Sequence, residues 1–575
     1  MNSSIRNSIK PAVVIVAMNQ EPCADLFLRE QFTRGLARAK RQADRYSDFD
    51  LVTQQETVGR NLLHVQFQMD GHYMGLLDLI NYIRNGNRPV TITAENADRF
   101  LTLGRTMTVN GVFLLNYLAR HGFPARLIQN YVLEKADLDS ALAENPLAVA
   151  ISSTFASMDE IKSMAGHIKE VNPGVKVVVG GSLVKKVMDK GAGLKPQTLN
   201  YLSNFWPDVD VFIVESQGER TLVKVVDALA HDQDLAEVPN LALFDHQGHL
   251  TFTPREPEPI DMDQGVILWD QLPLDRLPAS LPVNTSRGCM YNCRFCTYRQ
   301  LIPGVNYKSL KALGEELESI KRLGFVRHVR FTDDNFTANR ARLLEVCSLI
   351  KELDAGFTWS TFARVDALTP ETAGAMAEAG CEFLELGIES ASNDILKYMH
   401  KHITVEQTYQ TLSLLNQVGI MASGAFIVGF PGETKETLRQ TCELINSSGL
   451  TFYRLNFFTY TSGMLLHQER QEFDITGLGM AWRHKTMDAA TASAGYPELY
   501  RSITNSLTDG FSSTWETFKL LRGEGFTKAQ IIKMFSLMNA LNRPRLTDGE
   551  DSGRFRAKRD EVIASFQELV GHHNG

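Results

Sequence analysis

Three cysteines stand at C-x3-C-x2-C spacing in Ser286-Arg287-Gly288-Cys289-Met290-Tyr291-Asn292-Cys293-Arg294-Phe295-Cys296-Thr297-Tyr298. Thiolates on one short loop can converge on a single metal centre, and zinc sites and cubane clusters usually recruit four protein ligands. No fourth cysteine is near, since the next, Cys347, lies far downstream. Three thiolates around a four-iron cluster leave one iron open to an exogenous molecule, as catalytic metal sites keep a vacant position. The same residues allow two other readings: a zinc half-site completed by His400 or His402, and three reduced thiols without metal. Phe295, beside the third cysteine, offers an apolar surface on which a flat base can rest.

These residues need elements to position them. The loop follows an apolar run at 281–283 that reads as a strand end, and from there strands and helices alternate. Strands are predicted at 328–332, 358–362, 381–387, 422–430 and 452–458, with helices at 310–323, 340–353, 405–418 and 434–447. Six strands with helical crossovers predict a partial (β/α)6 barrel over 283–465, with its site at the strand C-termini. Those ends carry a second set of polar residues. Asp333 and Asp334 can pair with an ammonium, and Arg364 with a carboxylate. Glu389 and Ser390 offer acceptors to ribose hydroxyls or an amino group, and Gly429-Phe-Pro-Gly-Glu433-Thr allows close backbone approach. Each carboxylate also has an ordinary use as a helix N-cap or surface ion pair, Asp334 and Glu433 in particular.

Ahead of the barrel, residues 1–250 predict a Rossmann-like, doubly wound parallel sheet with an insertion at about 18–107. Strands are expected at 11–17, 125–129, 147–152, 175–181 and 209–215. In such sheets the ligand lies beyond the carboxyl ends of the strands. Here those ends carry Ser152, Ser153 and Thr154, then Gly180, Gly181 and Ser182, then Glu215, Gly218 and Glu219. Small residues there let a large cofactor approach the backbone, and the same glycines equally suit tight strand–helix turns. No G-x-G-x-x-G follows the first strand, which disfavours a nucleotide cofactor.

Taken together, these segments resemble the cobalamin-dependent radical S-adenosylmethionine enzymes. The resemblance rests on the three cysteines, Phe331-Thr-Asp-Asp-Asn335, Gly387-Ile-Glu-Ser390 and Gly429-Phe-Pro-Gly-Glu-Thr434. Upstream it rests on Ala150-Ile-Ser-Ser-Thr154, Val177-Val-Val-Gly-Gly181 and Asp210 through Gly218-Glu-Arg-Thr221. It implies a 4Fe–4S cluster on Cys289, Cys293 and Cys296, with S-adenosylmethionine held by Phe295, Asp333, Asp334, Arg364, Glu389 and Ser390. It implies cobalamin enclosed by Ser152, Ser153, Thr154, Gly180, Gly181, Ser182, Glu215, Gly218 and Glu219. The D-x-H-x-x-G motif that supplies histidine to cobalt elsewhere is absent, so by resemblance cobalt lacks a protein histidine. The implied activity is methyl transfer to an unreactive carbon or phosphorus of a small molecule, in specialised-metabolite biosynthesis. An electron donor such as a flavodoxin or ferredoxin is the implied partner. The same cofactors can also serve a cyclisation, ring contraction or oxidation, and a non-catalytic corrinoid sensor with a structural cluster is a reading of another class.

Composition bounds these readings. The 575 residues are too many for one core. A net charge of −8 and a pI near 6.0 argue against nucleic-acid binding as the main task. Seven cysteines, an odd number, suit a reducing compartment such as the cytoplasm. The apolar run from Ala12 to Met18 is too short for a signal peptide or membrane span, so no membrane association is expected. Cys23, Cys347, Cys381 and Cys442 are expected as buried apolar residues. A proline-punctuated linker is expected at 251–282, and a mostly helical segment at 466–575 is expected to cap the barrel mouth. Trp482 and His484 are expected to pack that cap rather than face substrate.

Overall fold

The computed structural model describes residues 11–20, 50–245, 247–272, 277–302, 304–510 and 514–571; Cys23 and Pro273 lie outside them. The first sheet holds β1 (Val13–Met18), β2 (Ala125–Asn130), β3 (Ala148–Ser152), β4 (Lys176–Gly180), β5 (Val211–Ile213), β6 (Leu241–Phe244) and β7 (Leu250–Phe252). Their spatial order is β2-β1-β3-β4-β5-β6-β7. The first five are parallel. Every residue of β1 is buried, which is what a strand covered by helices on both faces requires. The order of the parallel strands reverses between β1 and β3, and that switch point is where open α/β sheets bind ligands. The antiparallel pair β6 and β7 was not expected from the sequence. Its turn is set by Asp245, whose Oδ1 accepts from the amides of Gln247 and His249, both at 2.8 Å.

The second sheet is the expected six-stranded parallel one. It runs β8 (Ser280–Val283), β9 (His328–Phe331), β10 (Thr358–Ala363), β11 (Cys381–Glu389), β12 (Met421–Val428) and β13 (Phe452–Phe457) in unbroken order. Its helices carry their own start and stop signals. Leu310–Leu323 begins at Ser309, whose hydroxyl accepts from the Ala312 amide, and ends at Gly324 with φ 73°. Val405–Val418 has a Thr404/Gln407 capping box and ends at Gly419 with φ 76°. The helix Pro370–Glu378 was missed; proline at its first position and the Thr369 cap are its local signals.

The C-terminal segment departs from expectation. Residues 514–571 close the end of the barrel opposite its mouth. Phe518 stacks on Phe383 with ring centroids 4.8 Å apart, and Trp515 Nε1 donates to Ser360 Oγ at 2.9 Å. Arg522 forms a bidentate pair with Glu382 at 2.7 and 3.0 Å. Ser360, Glu382 and Phe383 all lie in the N-terminal halves of their strands. An open barrel leaves that floor of aromatic side chains facing water, and the helix Thr514–Gly523 covers it. Helices Lys528–Asp548 and Gly553–Gly571 then share one core with the helix Leu76–Arg84 of the insertion. The insertion and the C-terminus therefore build one unit. Trp482 sits on a three-stranded antiparallel sheet, fully buried over Gly429, and donates to the Phe458 carbonyl at 2.7 Å. It packs, as expected.

Candidate functional site

The cysteine loop leaves β8 at Val283, and the end of β9 anchors it. Asp333 is buried and its carboxylate is fully engaged. Oδ1 accepts from the Thr285 amide at 2.7 Å, and Oδ2 accepts from the hydroxyls of Thr285 at 2.5 Å and Ser286 at 2.8 Å. Asp334 accepts from the Gly288 amide at 2.9 Å and from the Tyr298 hydroxyl; part of the residue meets solvent, but the protein packed around its carboxyl desolvates it and pushes it up to about 6. Gly288 and Tyr298 flank the three cysteines, so these adjacent carboxylates clamp both ends of the loop. Gly288 has φ 103° and lies against the Gly304 carbonyl, where a Cβ would overlap that oxygen. Only glycine fits there.

On the loop, Cys293 is buried, Cys289 half-buried and Cys296 exposed. Burial pushes the Cys293 thiol up, while Lys401 and Arg364 pull it down. Among the described residues no three Cys, His, Asp or Glu side chains gather around one ion. A mononuclear zinc site needs its donors about 2.3 Å from one point. Three thiols on one clamped loop, with Lys401 and Arg364 to offset thiolate charge, are the donor chemistry that an iron–sulfur cluster uses.

The barrel lumen opens beside this loop as a cavity of about 370 Å³. Phe295 lines it, and Lys401 Nζ lies 5.8 Å from the centroid of that ring. Lys401 also pairs with Glu389 at 2.9 Å. Glu389 sits at a register shift of β11 with φ 70°, a backbone conformation that non-glycine residues adopt rarely and that clusters at functional sites. Gly387 leaves the room for this pair: a Cβ there would stand 2.6 Å from both Glu389 Oε1 and Lys401 Nζ. Gly387→Ala is therefore expected to displace the pair, and, on the expectation that Glu389 faces S-adenosylmethionine, to weaken binding of S-adenosylhomocysteine by roughly tenfold, read by calorimetry, with little change in thermal melting.

Arg364 was expected to hold a ligand carboxylate, and its guanidinium is already committed. It grips Asp366 in a bidentate pair at 2.9 and 3.0 Å, donates to the Lys401 carbonyl at 2.5 Å and lies 3.6 Å over the Tyr291 ring. It therefore positions the cysteine loop through Tyr291 and the turn carrying Lys401. Ser390 Oγ accepts from the Ser392 amide at 3.2 Å. Glu433 is buried against the Gly429 amide, and burial pushes its carboxyl up to about 8.

The carboxyl ends of the first sheet approach the same loop. Ser152 Oγ accepts from Asn110 at 2.8 Å, and Ser153 Oγ accepts from the Val184 amide at 3.4 Å, while Thr154 is exposed. Gly180 closes β4, and Gly181, with φ 106°, packs against Ser153 where a Cβ would stand 3.0 Å from its hydroxyl. Ser182 opens the helix Ser182–Met188, which packs on Tyr298–Leu301 just after Cys296. Glu215 accepts from the Ser216 amide at 2.7 Å, and Gly218 lies against Ile213. Gln217 and Glu219 accept from Arg287 at 2.7 and 2.8 Å, and Arg287 rests 4.6 Å over the Phe113 ring. The two sets of strand ends thus face one another across the cysteine loop.

Sequence reasoning passed over Arg287, Gln217, Asp366, Lys401, Glu385 and Arg454. For Glu385 and Arg454 a signal existed: polar residues at 385 and 389, and at 454 and 456, alternate with apolar ones along their strands. For Lys401, in a His-Lys-His turn, none did.

Comparison with known proteins places the chain. The Radical SAM superfamily profile matches residues 283–445. The chain is 30% identical over 349 residues to an uncharacterised methyltransferase of Pyrococcus horikoshii, covering 60% of this chain and 73% of that protein. It is 29% identical over 289 residues to the anaerobic magnesium-protoporphyrin IX monomethyl ester cyclase of Rubrivivax gelatinosus, covering 48% of this chain and 50% of the cyclase. Among solved structures, its fold is similar to that of TsrM from Kitasatospora setae, a radical S-adenosylmethionine methyltransferase with cobalamin and a 4Fe–4S cluster bound. That likeness has a TM-score of 0.53 at 15% identity and covers 81% of this chain and 97% of TsrM. OxsB, a cobalamin-dependent S-adenosylmethionine radical enzyme, gives a TM-score of 0.53 at 15% identity, over 81% of this chain and 76% of OxsB.

Proposed function

The chain belongs to the radical S-adenosylmethionine superfamily, and from that premise we propose that it is a cobalamin-dependent methyltransferase acting on an unreactive carbon, or a phosphorus, of a small molecule. The observation that carries this reading is the cysteine loop held between two sets of strand ends, clamped by Asp333 and Asp334 on one side and tied to Gln217 and Glu219 through Arg287 on the other.

In this reading Cys289, Cys293 and Cys296 hold a 4Fe–4S cluster with one iron left for S-adenosylmethionine. Phe295, Glu389 and Lys401 form the wall that S-adenosylmethionine meets, and Ser390 shapes the turn behind it. Asp333, Asp334 and Arg364 act by positioning the loop, through the hydrogen bonds they make to Thr285, Gly288 and Asp366. Ser152–Thr154, Gly180–Ser182 and Glu215–Glu219 would enclose cobalamin. When bound, the cluster supplies the electron that cleaves S-adenosylmethionine and cobalamin supplies a transferable methyl group. The chain's own contribution is orientation and exclusion of water: Phe362, Phe457 and Phe458 line the lumen, and the helix Thr514–Gly523 seals its floor. Methyl transfer of this kind suits specialised-metabolite biosynthesis in the cytoplasm, driven by a flavodoxin or ferredoxin. No helix among the described residues is long and apolar enough to cross a membrane. The likeness to the cyclase supports a second reading, in which the same cofactors serve ring closure or oxidation.

Anaerobic reconstitution with iron, sulfide and cobalamin tests the proposal. The desalted protein is expected to retain about four irons and one cobalt per chain. It is also expected to release 5'-deoxyadenosine or S-adenosylhomocysteine on turnover. Iron without cobalt would overturn the cobalamin assignment. Product mass separates the two readings, because a gain of one methylene marks methyl transfer.

A further inference from the structure

Side chains alternate along a strand, so Glu385, Gly387 and Glu389 of β11 and Arg454 and Asn456 of β13 all reach the barrel lumen. Between these strands β12 presents Ala425, which pairs in register with Arg454. That small residue lets Arg454 reach over it, bringing its guanidinium to 3.7 Å from Glu385 Oε1. The charges attract at this separation, but it is too long for a hydrogen bond. Glu385 is 4% exposed. Its Oε2 and the Arg454 Nε have no hydrogen-bond partner among the described residues.

The Ser423 hydroxyl lies beside the carboxylate, yet Oε2 stays without a partner; a buried carboxylate oxygen left so is costly and calls for an explanation. A ligand that supplies the missing partners is one. The position also separates this pair from the layer of the cysteine loop. Glu389, with Lys401, lies four residues further along β11, which is roughly 13 Å of strand. The space between is lined mainly by aromatic and aliphatic side chains, among them Phe295, Phe362 and Ile427. A ligand bearing only a cation would face Arg454, and one bearing only an anion would face Glu385. A molecule that carries both charges on neighbouring atoms satisfies both.

We propose that Glu385 and Arg454 form a subsite for the ammonium and carboxylate of an amino-acid-type zwitterion, its apolar body directed up the lumen toward the cysteine loop. This substrate class rests on the functional reading above. Calorimetry on the reconstituted protein tests it, with the common L-amino acids and S-adenosylhomocysteine as probes. At least one amino acid is expected to bind, and its N-acetyl and methyl-ester forms, each lacking one charge, to bind roughly tenfold more weakly or worse. Glu385→Gln and Arg454→Gln are each expected to weaken the amino acid by a similar factor and to leave S-adenosylhomocysteine unchanged. If a single variant fails to fold, the double variant Glu385→Gln/Arg454→Gln leaves no lone buried charge and carries the same expectation. The proposal is overturned if no amino acid binds, if binding ignores the variants, or if the variants weaken S-adenosylhomocysteine instead, which would assign the pair to that cofactor. Failure of the functional reading looks different: the unmodified protein would then hold no cluster and would not bind S-adenosylhomocysteine.

Discussion

Cys293→Ala is expected to give a folded protein without an iron–sulfur cluster. The substitution removes one buried sulfur atom from a loop, a loss of the ordinary size of about 1 kcal/mol, so thermal melting should move by only a few degrees. The effect on metal is of another order. With three cysteines on the loop, two thiolates cannot hold three corners of a cubane, and the next cysteine in sequence, Cys347, lies far downstream. Iron content after anaerobic reconstitution, the brown absorption and cleavage of S-adenosylmethionine should all fall to background together. Cys442→Ala is the matched control. That thiol is buried in the helix Lys435–Ser447, where burial pushes it up to about 11, and its loss should leave cluster and cleavage intact. A Cys293→Ala protein that kept its cluster would sink the ligand assignment, and loss of the cluster in Cys442→Ala would point to a folding defect common to both.

The barrel was legible because its strands are short stretches rich in apolar, β-branched and aromatic residues, and several of its helices carry caps at both ends. The helix boundaries at Leu310–Leu323 and Arg340–Leu353 follow from Ser309 and Gly324, and from Asn339 and Asp354, residues whose preferences act locally. The hairpin of β6 and β7 was missed because its first strand, Leu241-Ala-Leu-Phe244, lacks the β-branched residues that mark β1 and β4. The place of residues 514–571 was not legible at all. Their amphipathic helices say that an apolar face is buried, and not on which end of the barrel. That is decided by Phe383, Phe452 and Met421, more than sixty residues upstream of the helix that meets them.

The site divides along the same line. Residue type and spacing pointed to the three cysteines, because metal ligation depends on donor chemistry within one loop. The roles of Asp333, Asp334 and Arg364 depend on which partner reaches them first. Thr285, Gly288 and Asp366 are close enough to take their oxygens and nitrogens, so side chains that looked free to bind a ligand hold the loop instead. Lys401 is the converse. It comes to the lumen only because the turn from His400 to His402 runs in left-handed conformations, with φ 53° and 57° at the two histidines.

Asp333→Ala is expected to strip the protein of most of its iron although all three cysteines remain. The carboxylate takes hydrogen bonds from one amide and two hydroxyls at the entry to the cysteine loop, and burial pushes its carboxyl up while those donors pull it down. Without it the two hydroxyls can turn elsewhere, but the Thr285 amide is buried and fixed. Leaving such a donor unsatisfied costs about 1–3 kcal/mol, and the loop loses its tie to β9. The stability loss alone would leave most molecules folded, so melting should drop by several degrees. Iron retention should fall much further, because the loop no longer presents its thiols together. Asp333→Asn separates the clamp from simple destabilisation. Its Oδ1 still accepts from the Thr285 amide, and its Nδ2 can donate to the hydroxyl oxygens of Thr285 and Ser286 once those rotate. That variant should recover most of the iron and most of the melting temperature. Full iron retention in Asp333→Ala, or equal loss in both variants, would show that the loop holds its shape without the Asp333 carboxylate. The tie between β9 and the cysteine loop would then be packing alone.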